Sequence, residues 1–146
     1  MSWQELENAD AELAAFGVAR MNGSVSYLAT IRKDGGPRVH PVTPIIGQGR
    51  MFLFMEPTSP KGFDLKRDAR FALHAAVRDT DGSNGEFAVA GRARPVSDPE
   101  TRAMATQLAH YEPRERYILF ELDVDSASST VYPSDGAPVR HRWMRG

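Results

Sequence analysis

The chain has 146 residues, with 18 Lys+Arg against 19 Asp+Glu and no cysteine. That length suits a single domain over 1–146, and 41% apolar with 25% charged residues is ordinary globular composition. A net charge of −1 speaks against nucleic acid and against a polybasic membrane binder, and the missing cysteines exclude disulfides, thiolate nucleophiles and Cys-type zinc sites.

The acidic start lacks the basic and apolar regions of a signal peptide. No apolar run approaches the ~18 residues of a membrane span, so a soluble, cytoplasmic protein is expected. Trp3, Leu6, Leu13 and Phe16 recur at helical spacing and predict one helix over about 3–16, with Ser2 as cap and Gly17 as stop. From Val25 the period changes. Val25–Ile31 reads as a strand, Lys33-Asp34-Gly35-Gly36 as a turn, and Pro37–Ile46 as a second strand. Its three prolines deny it a full ladder, so its backbone must face solvent or a ligand. Gly47-Gln48-Gly49 turns the chain into a strand over Arg50–Met55.

Ser59-Pro60-Lys61-Gly62 opens a short helix to about Arg67, with Ser at the cap and Pro at the first position. Strands are expected over Phe71–Val77 and over Glu86–Val96, where Gly91 marks a bulge or bend. Asp98-Pro99-Glu100 starts a helix that carries Met104, Leu108 and Tyr111 on one face. Tyr117–Val124 is a further strand, with shorter candidates at Val131-Tyr132 and Arg142–Met144. These elements predict a mainly β, α+β fold: a small antiparallel barrel with a few peripheral helices, since closure disposes of sheet edges.

Two places suit chemistry. At Ser59–Gly62 a helix N-terminus offers free N–H groups beside the Lys61 ammonium and the Ser59 hydroxyl, and Gly62 allows close approach by an anion. The alternative there is an ordinary capped helix with a solvated lysine. Arg38-Val39-His40-Pro41-Val42-Thr43 offers backbone to a flat heteroaromatic ligand, or is an edge strand protected by prolines. The four histidines lie at no metal-ligand spacing, so no metal is expected. No nucleophile elbow, dinucleotide fingerprint or phosphate-loop sequence occurs, and no catalytic residue is assigned.

Read in order, Tyr27-Leu28-Ala29-Thr30, Lys33-Asp34-Gly35, Pro37–Val42, Leu53-Phe54, Ser59-Pro60-Lys61 and Arg67–Leu73 resemble the pyridoxamine 5'-phosphate oxidase-like family, the flavin-binding split β-barrels. The resemblance runs from about residue 20 to 96. It implies a six-stranded split barrel that forms a homodimer, with FMN or an 8-hydroxy-5-deazaflavin coenzyme at the subunit interface. It further implies that Arg38, Val39, His40, Pro41 and Val42 lie against the flavin. Phe54 and Met55 would contact it from the next strand, Ser59 and Lys61 would hold its phosphate, and Trp143 is similar to a late aromatic that reaches the partner's flavin. Many relatives carry a second basic residue where Pro60 stands. The C-terminal Arg140–Arg145 is basic without matching the pattern that holds the vitamin phosphate, so the resemblance carries the cofactor fold and not that substrate.

A flavin-dependent oxidoreductase acting on a small molecule is therefore expected, in which the cofactor does the redox chemistry. The alternative is a non-catalytic protein that stores or senses a flavin. A third reading, single-stranded nucleic acid stacked on Phe52, Phe54 and Phe71, is disfavoured by charge. Arg38 is expected to matter to the ligand more than to the fold.

Overall fold

The computed structural model describes residues 1–146. Four helices, α1 (Ser2–Ala9), α2 (Ala11–Met21), α3 (Pro60–Arg67) and α4 (Pro99–Leu108), surround eight strands. The strands are β1 (Ser26–Ile31), β2 (Pro37–Val42), β3 (Ile45–Gly47), β4 (Arg50–Met55), β5 (Arg70–Ala75), β6 (Glu86–Val96), β7 (Ile118–Val131) and β8 (Val139–Met144). They form one antiparallel sheet in the order β2-β1-β5-β6-β7-β4-β3, and β8 pairs with β7.

Eight strands stand where six were expected, and no ladder closes the sheet: β2 and β3 are its two edges. The expected strand over 37–46 breaks at Thr43-Pro44, because Pro41 and Pro44 bring no N–H and a proline restricts the residue before it. The two edges are nonetheless consecutive in the chain. Three peptide steps from Val42 to Ile45 span at most about 11 Å, so the seam is bridged covalently where hydrogen bonds are missing.

Leu28, Leu53, Leu73, Phe87, Val89 and Phe120, from five strands of the sheet, belong to a single core cluster of 21 buried residues. One face converges on that core, so the sheet is rolled. Trp3 and Leu6, both fully buried, plug its end from α1, and the Trp3 ring meets Phe87 edge-on at 6.2 Å. The expected single N-terminal helix is two. Asp10 leaves the helical region and its side chain accepts from the Leu13 N–H, so a carboxylate that fitted the polar face of one helix caps the second. Gly17 lies inside α2, against the Phe87 ring, and stops nothing.

The opposite face of β3, β4 and β7 carries Ile45, Phe52, Phe54 and Leu119, and α4 covers it with Ala105, Met104 and Leu108. Buried on both faces, β4 shows no alternation. Asp98 caps α4 as expected, accepting from Thr101 N–H at 3.0 Å. The helix ends at Leu108, so Tyr111 belongs to the following loop and not to the helix face assigned to it. Gly91 stands at the one register shift between β6 and β7.

Candidate functional site

Helix α3 begins at the corner where β4 ends. The hydroxyl of Ser59 makes no cap bond to the helix backbone; it accepts from Lys61 Nζ at 2.8 Å, and the Ser59 carbonyl takes the N–H groups of Gly62 and Phe63. Ser59→Ala therefore removes no side-chain cap bond from α3. Gly62 faces inward. A Cβ there would come within 3.1 Å of Met55 Sδ, so its smallness lets α3 pack on β4 and does not open a path for an anion. Lys61 is half-buried, and that burial pushes its ammonium below the usual lysine value. No carboxylate pairs with it.

Arg38 projects from β2 towards the same corner. Its Nε donates to Asp64 Oδ2 at 2.7 Å, and Asp64, 3% exposed, also accepts from Thr30 Oγ1 at 2.8 Å and Arg67 Nη2 at 2.9 Å. Burial alone would raise the Asp64 carboxyl, but the hydrogen bonds from Arg38, Thr30 and Arg67 outweigh it and hold it below its ordinary value. Arg38 thus has a structural partner in Asp64 besides the ligand role expected of it. His40 follows on the same phase of β2. Burial, then the charges of Lys61 and Arg38, push its imidazole below the usual histidine value.

Beside Lys61 an open cavity of about 330 Å³ is lined by five of the expected residues, Pro41, Val42, Phe54, Met55 and Lys61 itself. Its far wall holds Tyr111 and Tyr117, which were not singled out from the sequence. Both flank a loop that no motif marks; the pairing of Met55 with Ile118 and the ion pair of Arg116 with Glu56 hold that loop at the cavity mouth. Arg102 of α4 fixes it there, donating to the Tyr117 carbonyl at 2.7 Å with its guanidinium 5.2 Å from the Phe54 ring. Burial and the neighbouring Tyr117 push the Tyr111 phenol up. A larger surface hollow of about 1030 Å³ lies within the same loop, Tyr111–Tyr117, and joins the cavity only through its two tyrosines.

Not every expected residue joins this group. Val39 is 64% exposed on the opposite face of β2 from Arg38 and His40 and does not line the cavity. Trp143, on β8 opposite Ala127, packs against the main core and lines no part of the cavity. The three phenylalanines weighed as stacking platforms are all core residues, Phe52 fully buried and Phe54 and Phe71 nearly so.

A sequence profile of the family described as Pyridoxamine 5'-phosphate oxidase matches residues 19–131. No curated protein matches the chain in sequence. Among solved structures, PhzG from Burkholderia lata 383, in complex with tetrahydrophenazine-1-carboxylic acid, is similar with TM-score 0.67 and 19% identity, over 97% of this chain and 87% of that one. A heme binding protein from Mycobacterium smegmatis is similar with TM-score 0.66 and 19% identity over 87% of this chain, which spans only 55% of that protein. An F420 reductase gives TM-score 0.59 and 16% identity, over 76% of this chain and 94% of that one. At these identities the likeness is one of fold.

Proposed function

The chain belongs to the Pyridoxamine 5'-phosphate oxidase family, and from that membership we propose that it is a flavin-binding oxidoreductase that uses FMN, or a deazaflavin coenzyme, on a small molecule. One observation carries the reading: Lys61 is a half-buried cation with a hydroxyl partner and no counter-ion. A desolvated ammonium is costly unless an anion meets it. A phosphate at the start of α3 would supply that anion and be held by Lys61, by Ser59 and by the helix N-terminus. Pro41, Val42, Phe54 and Met55, which line the cavity, would hold the flavin ring system.

When bound, the flavin supplies hydride and electron transfer. The chain's own residues bind and orient it, and Tyr111 and Tyr117 shield one side from water. At about 330 Å³ the cavity is at the small end for a ligand site and open on one side. A second copy of the chain completes it, giving a homodimer. Glu56, the carboxylate at the cavity, is engaged by Arg116 at 2.5 Å, so no free carboxylate stands at the ring. That favours, as a second reading, a protein that stores or senses the flavin; turnover of NAD(P)H or reduced deazaflavin separates the two.

The test is titration of wild type and Lys61→Ala with FMN and with riboflavin. A charge-assisted hydrogen bond is worth ~1.5–3 kcal/mol, so the variant should bind FMN roughly ten- to a hundredfold more weakly. Riboflavin, which has the ring and no phosphate, should be unaffected. Equal losses for both would make Lys61 a general support of the pocket and remove the anchor.

A further inference from the structure

A separate cavity of about 350 Å³ opens where α2 ends and β1 begins, lined among others by Arg20, Ser24, Val25, Val77, Arg78 and Asp79. It shares no residue with the cavity beside Lys61. Arg20, in the last turn of α2, is half-buried, its guanidinium carbon 3.3 Å from the centre of the Phe16 ring. Three of its N–H groups go to carbonyls, two to that of Asn84 and one to that of Phe16, which leaves two of an arginine's five donors unused. Those carbonyls fix the group in place without cancelling its charge. No carboxylate pairs with it, and burial pushes the guanidinium below the usual arginine value.

Arg78, exposed just beyond β5, adds a second cation that makes no ion pair. Asp79 is the one carboxylate in the lining, and its two oxygens accept N–H groups of its own loop, from Gly82 at 2.6 Å and from Asn84 at 3.4 Å. Two cations against one anion leave the cavity a single positive charge, which calls for a monoanion. Val25 and Val77, 42% and 44% exposed, give it an apolar wall that a bare inorganic ion would leave to water. A planar carboxylate matches the planar guanidinium fork. We propose that this cavity binds a small organic monocarboxylate, its carboxylate held by Arg20 and Arg78 and its apolar body laid on Val25 and Val77.

The experiment follows the amide spectrum of the full chain by two-dimensional NMR during titration with benzoate, with benzamide as its uncharged counterpart and with inorganic phosphate. Benzoate should saturate with shifts concentrated on Ser24, Val25 and Val77–Asp79, and bind about tenfold or more tightly than benzamide or phosphate. Arg20→Gln should lose about tenfold or more for benzoate. Because Arg20 also holds the Asn84 carbonyl, Arg78→Gln is the deciding variant. Its exposed side chain holds nothing in the fold, so its melting curve should match wild type while benzoate binding weakens about threefold and benzamide binding does not change. Benzoate affinity unchanged in Arg78→Gln would overturn the site, as would shifts centred on Phe54, Met55 and Lys61, which would place the carboxylate in the other cavity. Phosphate bound as tightly as benzoate would reduce the cavity to a general positive field and overturn the organic ligand. No saturation by benzoate below about 10 mM would overturn the proposal outright.

Discussion

Asp64 gathers three donors from three elements: Thr30 of β1, Arg38 of β2 and Arg67 of α3. Removing Arg38 leaves the carboxylate two of them, so Arg38→Ala should cost the apo protein about 1–3 kcal/mol, several degrees of melting temperature, besides weakening phosphate binding. An apo melting curve identical to wild type would mean that Arg38 serves the ligand more than the fold. The sign of the pH dependence follows from Asp64 being held below its ordinary value. Its contribution is fully present above the unfolded pKa of ~3.9 and is lost as pH falls through the folded value. The stability gap between wild type and Asp64→Asn should therefore narrow below about pH 4, read by urea unfolding at pH 7 and pH 3. A gap that stays constant would mean that Asp64 is not ionised in the fold. Which side chains bear charge at the corner was legible from residue types and from the helix start at Ser59-Pro60. That Arg38 has a partner 26 positions away was not, because no local rule couples β2 to the buried side of α3.

Elements were most legible where turn and cap chemistry is local. The spans of β4 and β6, the start of α4 and the glycine turn after β1 follow from Gly, Pro and Asp at fixed offsets. The break between α1 and α2 was hidden because Asp10 satisfies the apolar stripe of one long helix as well as it caps the second. β7 runs to 14 residues because its far half pairs with β6 and β8 and includes a serine-rich stretch that reads as loop. Gly91 offers the sharpest test at this scale. A Cβ there would stand 1.9 Å from the Asp123 carbonyl oxygen and 3.0 Å from the Asp125 nitrogen, both backbone and unable to give way cheaply. The same bulge is pinned by Ser2 Oγ, which accepts from the Val124 N–H at 2.8 Å. Gly91→Ala should thus cost more than about 2 kcal/mol, within the range of overpacked sites. Denaturant unfolding measures it, and a loss under about 0.5 kcal/mol would mean that the bulge relaxes freely.

At the scale of the molecule, the rolled sheet was legible as a class, while its strand count and open seam were not, since proline 44 acts on a pairing that only the whole sheet defines. Its outer surface is covered unequally. Helix α4 buries the outside of β3, β4 and the start of β7, whereas nothing in the chain covers the outside of β2, β1, β5 and the adjoining β6. The register lines up Val39, Ala29, Ala72 and Ala90 across that face, with Pro41, Tyr27, His74 and Ala88 in the next row. Val39 and Tyr27 are 64% and 47% exposed. Apart from His74, the two rows are small or apolar and make a patch of the kind that marks an interface, and a two-fold dimer is the simplest closed way to bury it. Pro41 belongs both to this face and to the cavity beside Lys61, so a copy seated here reaches the cavity's open side. Sedimentation should give a dimer at micromolar concentration. Tyr27→Glu, which places a charge at the middle of the patch, should shift it to monomer with unchanged circular dichroism. FMN affinity should fall in step, because the open side loses its second wall. A wild-type monomer with and without flavin would remove the dimer. A monomeric Tyr27→Glu that binds FMN as wild type does would show that one chain alone completes the pocket.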